Sequence, residues 1–213
     1  EDENDLERNR TTLENLNDGS LIRAYVRDNN EIEENYTMDN ALIYERIFDD
    51  EERSLRALVS HSIRDQTETQ NIDIYSGTTV VTGEPNGMER ALNDEARNTS
   101  VFQLDYAQPF LSGKLETGLK SILREFDNDY TYEIFDGQTD AFVNQENTSN
   151  RFLYKDQVYA AYAIYSRTFG NLNVAVGTRA EQTFVDTKLY DTNENNTQEY
   201  LNFFPSVQSS YNL

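Results

Sequence analysis

Alternating apolar and polar residues recur in short runs along most of this chain, and the clearest run spans residues 172–184. One parity of this run carries Leu172, Val174, Val176, Ala180 and Phe184, and the other carries Asn173, Gly177, Arg179, Glu181 and Thr183. Because successive side chains of a strand point to opposite faces, the run predicts a strand with one apolar and one polar face. Arg179 and Glu181 in mid-strand favour a wall whose apolar face meets lipid and whose polar face lines a wet lumen.

Other runs of the same kind extend this pattern into a set of strands. The preceding run ends in the short connection Phe169-Gly170-Asn171, which predicts a tight hairpin. Together, the runs predict about eight antiparallel strands. Their ranges are 21–27, 36–48, 54–66, 101–109, 115–124, 151–169, 172–190 and 200–211.

The connections between these strands alternate in length. Short ones lie near Asp50, Gly113 and Gly170, and long ones lie near Asn30 and at 67–97, 129–150 and 191–198. Transmembrane barrels show this asymmetry, since their turns are tight at one end and their loops are long at the other. The pattern therefore predicts an all-β fold, an antiparallel up-and-down transmembrane β-barrel. Eight strands can close on themselves or form an arc of a wider barrel.

This interpretation divides the chain into two parts. Residues 1–19 are charged and are expected to form a polar entry segment. Residues 20–213 form the barrel segment, with long acidic extracellular loops at about 67–97, 129–150 and 191–198. The chain opens on EDENDLERNR with no signal peptide, so we expect a mature chain, a truncated one or a fragment.

Charge and composition exclude several classes of function. The 39 acidic residues against 18 Lys and Arg, a net charge of −21, argue against a nucleic-acid partner, because phosphate contacts require clustered cations. The absence of cysteine excludes disulfides, thiol catalysis and thiolate metal sites. No stretch has the apolar length of a membrane helix.

Charged residues on the polar parities are the candidate functional residues, and we expect them to line a lumen. They are Asp39, Glu45, Arg56, Arg64, Asp105, Glu116, Lys120, Arg124, Arg179 and Glu181. They can pair across neighbouring strands to hold a wet interior together, contact a plug, or line a ligand path.

Candidate catalytic and metal chemistry is weak by comparison. His61, the single histidine, shares its parity with apolar neighbours, which indicates a wall or girdle position. An EF-hand counted from Asp127 fails because its sixth and twelfth positions hold Tyr132 and Gln138. A looser calcium cage in the acidic loops remains open. We expect no enzyme activity, cofactor or structural metal.

Four phrases resemble a known family. ALIYERIFDDEERSL (41–55), VFQLDYAQPFLSGKLETGLKS (101–121), VYAAYAIYSRTFGNLNVAVGTRAEQT (158–183) and YLNFFPSVQSSYNL (200–213) are similar, in order, to the carboxy-terminal outer-membrane β-barrel domain of TonB-dependent receptors. The resemblance covers most of the chain from about residue 36.

The resemblance implies a setting as well as a fold. Such receptors are barrels of about twenty-two strands around a plug, and they import scarce nutrients with energy relayed from the inner membrane. For this chain it implies an arc of a larger barrel in the outer membrane of a Gram-negative bacterium. The implied partners are outer-membrane lipids, a plug domain, an energy-coupling protein and a possible surface lipoprotein. Two alternatives stay open: a soluble ligand-binding β-barrel, and a small eight-stranded outer-membrane anchor or adhesin.

Overall fold

A computed structural model of the chain describes residues 2–14, 21–49, 53–76 and 83–212. Nine strands lie within these ranges and form one antiparallel sheet. Their bounds are β1 Asp2–Glu14, β2 Leu21–Ile47, β3 Ser54–Ser76, β4 Gly87–Phe110, β5 Gly113–Asp136, β6 Ala141–Asn144, β7 Asn150–Phe169, β8 Leu172–Leu189 and β9 Glu194–Tyr211.

The sheet follows the chain without crossovers. Eight strands pair in the order β1-β2-β3-β4-β5-β7-β8-β9, and the short β6 folds back on the end of β5. The all-β, antiparallel up-and-down fold is therefore confirmed. Among the described residues no pairing joins β9 to β1 or β2, so the sheet is open, as an arc of a wider barrel would be.

Two tight turns lie where the sequence predicts them. The turn between β7 and β8 is Gly170-Asn171, with Gly170 at a φ of +61°, a conformation that costs glycine little. Leu111 and Ser112 connect β4 and β5, both with positive φ, as a two-residue hairpin of this twist requires. The turn expected at 49–52 lies partly outside the described residues, but the backbone bond from Phe48 N to Arg53 O closes it.

The strands are longer than the hydrophobic pattern predicts, so most of the expected loops are wrong in extent. Residues 28–35 are part of β2, and residues 87–97 belong to β4. The segment 129–150 contains the end of β5, β6 and the start of β7, and β9 begins within 191–198. The segment 1–19, expected to be a polar entry segment, contains the strand β1, while its residues 15–19 lie outside the described ones. The predicted asymmetry of the connections holds only in part. At the end opposite the tight turns, the connection 137–149 is long and contains β6, whereas 190–193 is a turn of four residues.

The pairing register places every predicted apolar parity on the same side of the sheet. Val176 pairs with Tyr165 and Val207. A neighbouring row on the same side crosses from β2 to β9 and joins the predicted parities of the strands: Leu42, Val59, Phe102, Ser121, Tyr159, Gln182 and Leu201. We call the side of Val176 the apolar face and the side of Arg179 the polar face. Leu172 and Val176 on the apolar face are 39% and 51% exposed, and no described residue covers them.

The polar face is the more crowded side. Most of the buried residues lie on it: Ile72, Ala91, Ala107, Ala160, Asp156 and Thr183. Small side chains there leave room for long polar neighbours to lie across the strands. A dry apolar interior, as a soluble β-sandwich would have, is not seen among the described residues.

A band without Asp, Glu, Lys or Arg crosses the apolar face. It covers the face-forming residues of 36–44 in β2, 55–63 in β3, 98–106 in β4, 115–123 in β5, 157–165 in β7, 172–184 in β8 and 201–211 in β9. A tilted strand of about 9–11 residues crosses the hydrocarbon layer of a membrane, and each of these segments is close to that length. Charged residues such as Arg46 and Arg167 bound the band at the turn end, and Asp65, Glu125 and Asp186 bound it at the other.

Aromatic side chains border the band, as the interfacial girdles of membrane barrels do. Tyr106, Tyr165 and Tyr211 lie near the turn end of the apolar face. At the opposite end Tyr159 meets Phe184 edge to face, with ring centroids 6.2 Å apart.

Candidate functional site

All ten residues proposed from the sequence to line a lumen lie on the polar face. Their Cα partners place them in adjacent rows from β2 to β8. That this face lines a lumen stays a prediction. Within the described part of the chain, Asp39, Glu45, Arg64 and Lys120 form no ion pair, whereas the other six do.

One row of direct cross-strand partners forms the centre of the polar face at the level of the charge-free band. It runs Glu45, Arg56, Asp105, Gly118, Tyr162, Arg179. The Arg56 guanidinium lies 4.0 Å from the Asp105 carboxylate, and the Tyr162 hydroxyl donates a 2.7 Å hydrogen bond to Asp105 Oδ1. Arg179 pairs with Glu181 on its own strand. Opposite charges on neighbouring strands stabilise such a wet surface.

Gly118 makes this row possible. The Tyr162 ring lies across it, and a Cβ added at Gly118 would sit 2.6 Å from Tyr162 Cζ. The glycine thus opens a path for the tyrosine to reach Asp105 two strands away.

We therefore expect Gly118→Ala to destabilise the chain by about 1–3 kcal/mol, the usual range for overpacking. The added methyl group must push Tyr162 away from Asp105. Unfolding by urea in detergent micelles measures the loss. Gly137→Ala is the matched control, because nothing lies within 4 Å of a Cβ at Gly137. Equal stability of the two variants would contradict the packing argument.

Asp156 is the most buried carboxylate of the polar face, with 2% of its surface exposed. Arg124 holds it through two contacts, Nε to Oδ1 at 2.9 Å and Nη2 to Oδ2 at 2.6 Å. This side-on geometry is the stronger form of an arginine–carboxylate pair. Sequence reasoning named Arg124 and missed Asp156, because the residues that share its parity along β7, Phe152, Tyr154 and Val158, do not mark a polar face.

A second network lies on the polar face beyond the band, where loops were expected. Arg27 Nη2 lies 2.5 Å from Glu89 Oε2, and Tyr132 also hydrogen-bonds Glu89. Ala91, directly opposite Tyr132 and 5% exposed, is small enough to leave room for this network. Burial, followed by the hydrogen bond to Glu89, raises the pKa of Tyr132 to about 12.

The raised pKa of Tyr132 predicts a stability that depends on alkaline pH. A folded pKa above the ordinary value of about 10 means that folding favours the protonated hydroxyl. This contribution is complete below pH 10 and is lost as the pH rises through about 12. We expect Tyr132→Phe to remove from an ultraviolet titration one tyrosine that ionises near pH 12. The difference in unfolding free energy between the two proteins is expected to change between pH 10 and pH 12. An unchanged titration curve would contradict the assignment.

His61 lies on the apolar face, with Nδ1 2.9 Å from Ser100 Oγ of the neighbouring strand. Among the described residues, no group of three or more His, Asp or Glu side chains is placed to hold a metal ion. The described part of the chain also has no helix of the length and apolarity needed to cross a membrane.

Comparison with known proteins points to one family. The model of a family described as "Outer membrane protein beta-barrel family" matches residues 46–213. No curated protein matches the chain.

Solved structures with a similar trace include two transporters and a protease. The ferric citrate transporter FecA, unliganded, is 12% identical with a TM-score of 0.43, and the alignment covers 90% of this chain and 34% of FecA. The copper transporter OprC is 11% identical with a TM-score of 0.41, covering 99% of this chain and 38% of OprC. The outer membrane protease OmpT from Escherichia coli is 10% identical with a TM-score of 0.32, covering 92% of this chain and 69% of OmpT. The chain thus spans little more than a third of the length of either transporter.

Proposed function

Because the chain belongs to the outer membrane protein beta-barrel family, we propose that it forms part of the wall of a TonB-dependent receptor-like barrel that takes up a nutrient across the outer membrane. The role is one of transport and not of catalysis. The four family-like phrases, at 41–55, 101–121, 158–183 and 200–213, support this more specific assignment.

The division of the sheet into two faces is the observation that carries the proposal. The apolar face has a charge-free band about as tall as a hydrocarbon layer, with tyrosines at its borders. The polar face carries ion pairs at the same depth, such as Arg56–Asp105 and Arg124–Asp156. A wall with lipid on one side and a wet lumen on the other requires this arrangement.

The edges of the sheet support an arc of a larger barrel. At the level of the band, residues 35–47 of β2 extend beyond β1, which pairs only with the part of β2 before them. At the other edge β9 pairs with β8 alone among the described strands. Since backbone groups in lipid must be paired, we propose that further strands complete this wall.

The polar face fits the partners that a receptor of this kind has. Its ion pairs can hold the wall together around a plug domain, and an energy-coupling protein would then act on that plug. The strands continue beyond the band as an acidic extension, which offers a surface for an envelope lipoprotein. Outer-membrane lipids would cover the apolar face.

Fractionation of the native Gram-negative host tests the location and role together. We expect the protein in the outer membrane with heat-modifiable migration on gels, as folded barrels show. Deletion of its gene and deletion of the energy-coupling protein are expected to cause the same growth defect on one nutrient, with no further loss in the double deletion. A compact monomer in detergent-free buffer, or growth defects that add, would contradict the proposal.

A small closed barrel serving as an anchor or adhesin is the second candidate, because the principal path holds eight strands. Closure would bring β9 beside residues 35–47 of β2. The chain has no cysteine, so any intramolecular disulfide must join the two introduced cysteines. Leu42→Cys combined with cysteine at Leu201, Phe203 or Pro205 should form an intramolecular disulfide in a closed ring and none in an arc.

A further inference from the structure

Three strands carry the same five-residue pattern where they reach a tight turn. The pattern has a tyrosine, then an arginine or glutamine, then a phenylalanine at alternate positions, and its copies are 44–48, 106–110 and 165–169. Because alternate residues of a strand share a side, all three of these side chains lie on the apolar face. Each copy therefore places one polar side chain between two rings at the turn-end border of the charge-free band.

The Arg167 guanidinium, at the centre of the third copy, forms no ion pair with a described residue. Arg167 is half-buried, stacks on Phe169 with 4.9 Å from Cζ to the ring centroid, and pairs with Val174 on β8. Arg46, at the centre of the first copy, also stacks on its phenylalanine, Phe48, and forms no ion pair with a described residue. The residues of β5 and β8 that form the apolar face beside Arg167 include no acid: Gly113, Leu115, Thr117, Leu172, Val174 and Val176.

The opposite border of the band differs in its counterions. Arg151 lies on the same strand and face as Arg167, and it also stacks on a ring, that of Tyr190 at 4.9 Å. The Asp127 carboxylate of β5 lies 2.8 Å from the Arg151 guanidinium. The chain thus supplies a carboxylate for the arginine at this border and, among the described residues, none for Arg167 at the other.

From this difference we propose that Arg167 binds the phosphate of an anionic phospholipid in the leaflet at the turn end of the band, which faces the periplasm. A guanidinium matches phosphate oxygens through parallel hydrogen bonds, and a membrane brings phosphates to this depth. The acyl chains would lie against the apolar face beside Val174 and Val176, and Phe169, 55% exposed, lies at the level of the headgroup. The inference rests on the proposed membrane wall and names its lipid partner.

Fluorescence quenching by brominated lipids tests the site in the purified chain folded into vesicles. The chain has no tryptophan, so Phe169→Trp introduces a single reporter that keeps a ring beside Arg167. The probes are brominated phosphatidylglycerol and brominated phosphatidylcholine, each mixed into vesicles of ordinary phosphatidylcholine. We expect phosphatidylglycerol to quench the reporter at a lower lipid fraction. Arg167→Gln in this background should reduce the preference about fivefold, the contribution of one cation near anionic lipid.

Arg151→Gln in the same background is the matched control. Arg151 shares with Arg167 the strand, the face and the stacking on a ring, but its charge is already held by Asp127 at the other border. Its removal should leave the lipid preference at the reporter unchanged. Equal losses in Arg151→Gln and Arg167→Gln would show a general effect of net charge and overturn the site. An unchanged preference in Arg167→Gln would assign this guanidinium to water and overturn it as well.

Heat-modifiable migration, measured on the same samples, separates this inference from the proposed function. Arg167→Gln breaks no ion pair in the described structure, so we expect it to fold, and protein purified from the native outer membrane replaces a chain that does not refold. A folded barrel without a preference for phosphatidylglycerol overturns the lipid site and leaves the uptake role intact. A preference for phosphatidylglycerol in a protein whose gene deletion causes no growth defect overturns the uptake role and keeps the lipid site.

Discussion

Val176→Arg is expected to lower the free energy of unfolding of the membrane-inserted chain by about 2–4 kcal/mol. Val176 lies near the middle of the charge-free band, 51% exposed on the apolar face, between Tyr165 and Val207 on the neighbouring strands. An arginine there would place its charge in the hydrocarbon layer, where water cannot solvate it. Urea titration of the chain folded into lipid vesicles measures the loss.

Gln208→Arg is the control for this variant. Gln208 pairs with Ala175, so it lies one residue from the depth of Val176 but on the polar face. The same charge should be tolerated there within about 0.5 kcal/mol, as at an ordinary surface position. If both variants were equally stable in lipid, the apolar face would not be the one that meets lipid. If Gln208→Arg were the less stable variant, the assignment of the two faces would be reversed.

Arg124→Met is expected to cost about 3 kcal/mol, because it leaves the Asp156 carboxylate without its bidentate partner. Asp156 is almost fully enclosed, so water cannot replace the lost hydrogen bonds. The reverse change, Asp156→Asn, should cost less, since Arg124 is half-exposed and stays solvated.

A double variant separates the pair from the packing around it. Arg124→Met combined with Asp156→Leu removes both charges, and replacement of a buried pair by apolar groups is often close to neutral. We therefore expect the double variant to recover most of the loss seen in Arg124→Met, as measured by urea unfolding in micelles. A double variant as unstable as the sum of Arg124→Met and Asp156→Leu, each measured alone, would show that the two side chains act independently.

The parts of the fold that the sequence predicts well are those in which one face is apolar. From Leu55 to Ile63 and from Leu172 to Phe184, alternation identified both the strand and the face. The tight hairpin at Phe169-Gly170-Asn171 was predicted from its shortness and its residue types, and the structure places the turn at Gly170-Asn171.

The extension of the strands beyond the band was missed because alternation disappears where both faces are polar. The ladder there is supported by cross-strand ion pairs on the apolar-face side, including Lys155–Glu125 at 2.9 Å and Arg151–Asp127 at 2.8 Å. A prediction based on hydrophobic periodicity therefore assigns such segments to acidic loops. The network of Arg27, Glu89 and Tyr132 was overlooked for this reason.

By itself, the sequence determined which side chains share a face within each strand, because the period of two is a local property of extended backbone. Only the tertiary structure decided which residues meet across strands. Arg64 faces Arg97, and Tyr162 reaches Asp105 over Gly118, through a register that no single strand contains. Register depends on how neighbouring strands pair. The long connections from β3 to β4 and from β5 to β7 do not specify it, and a shift of one residue would exchange the two faces.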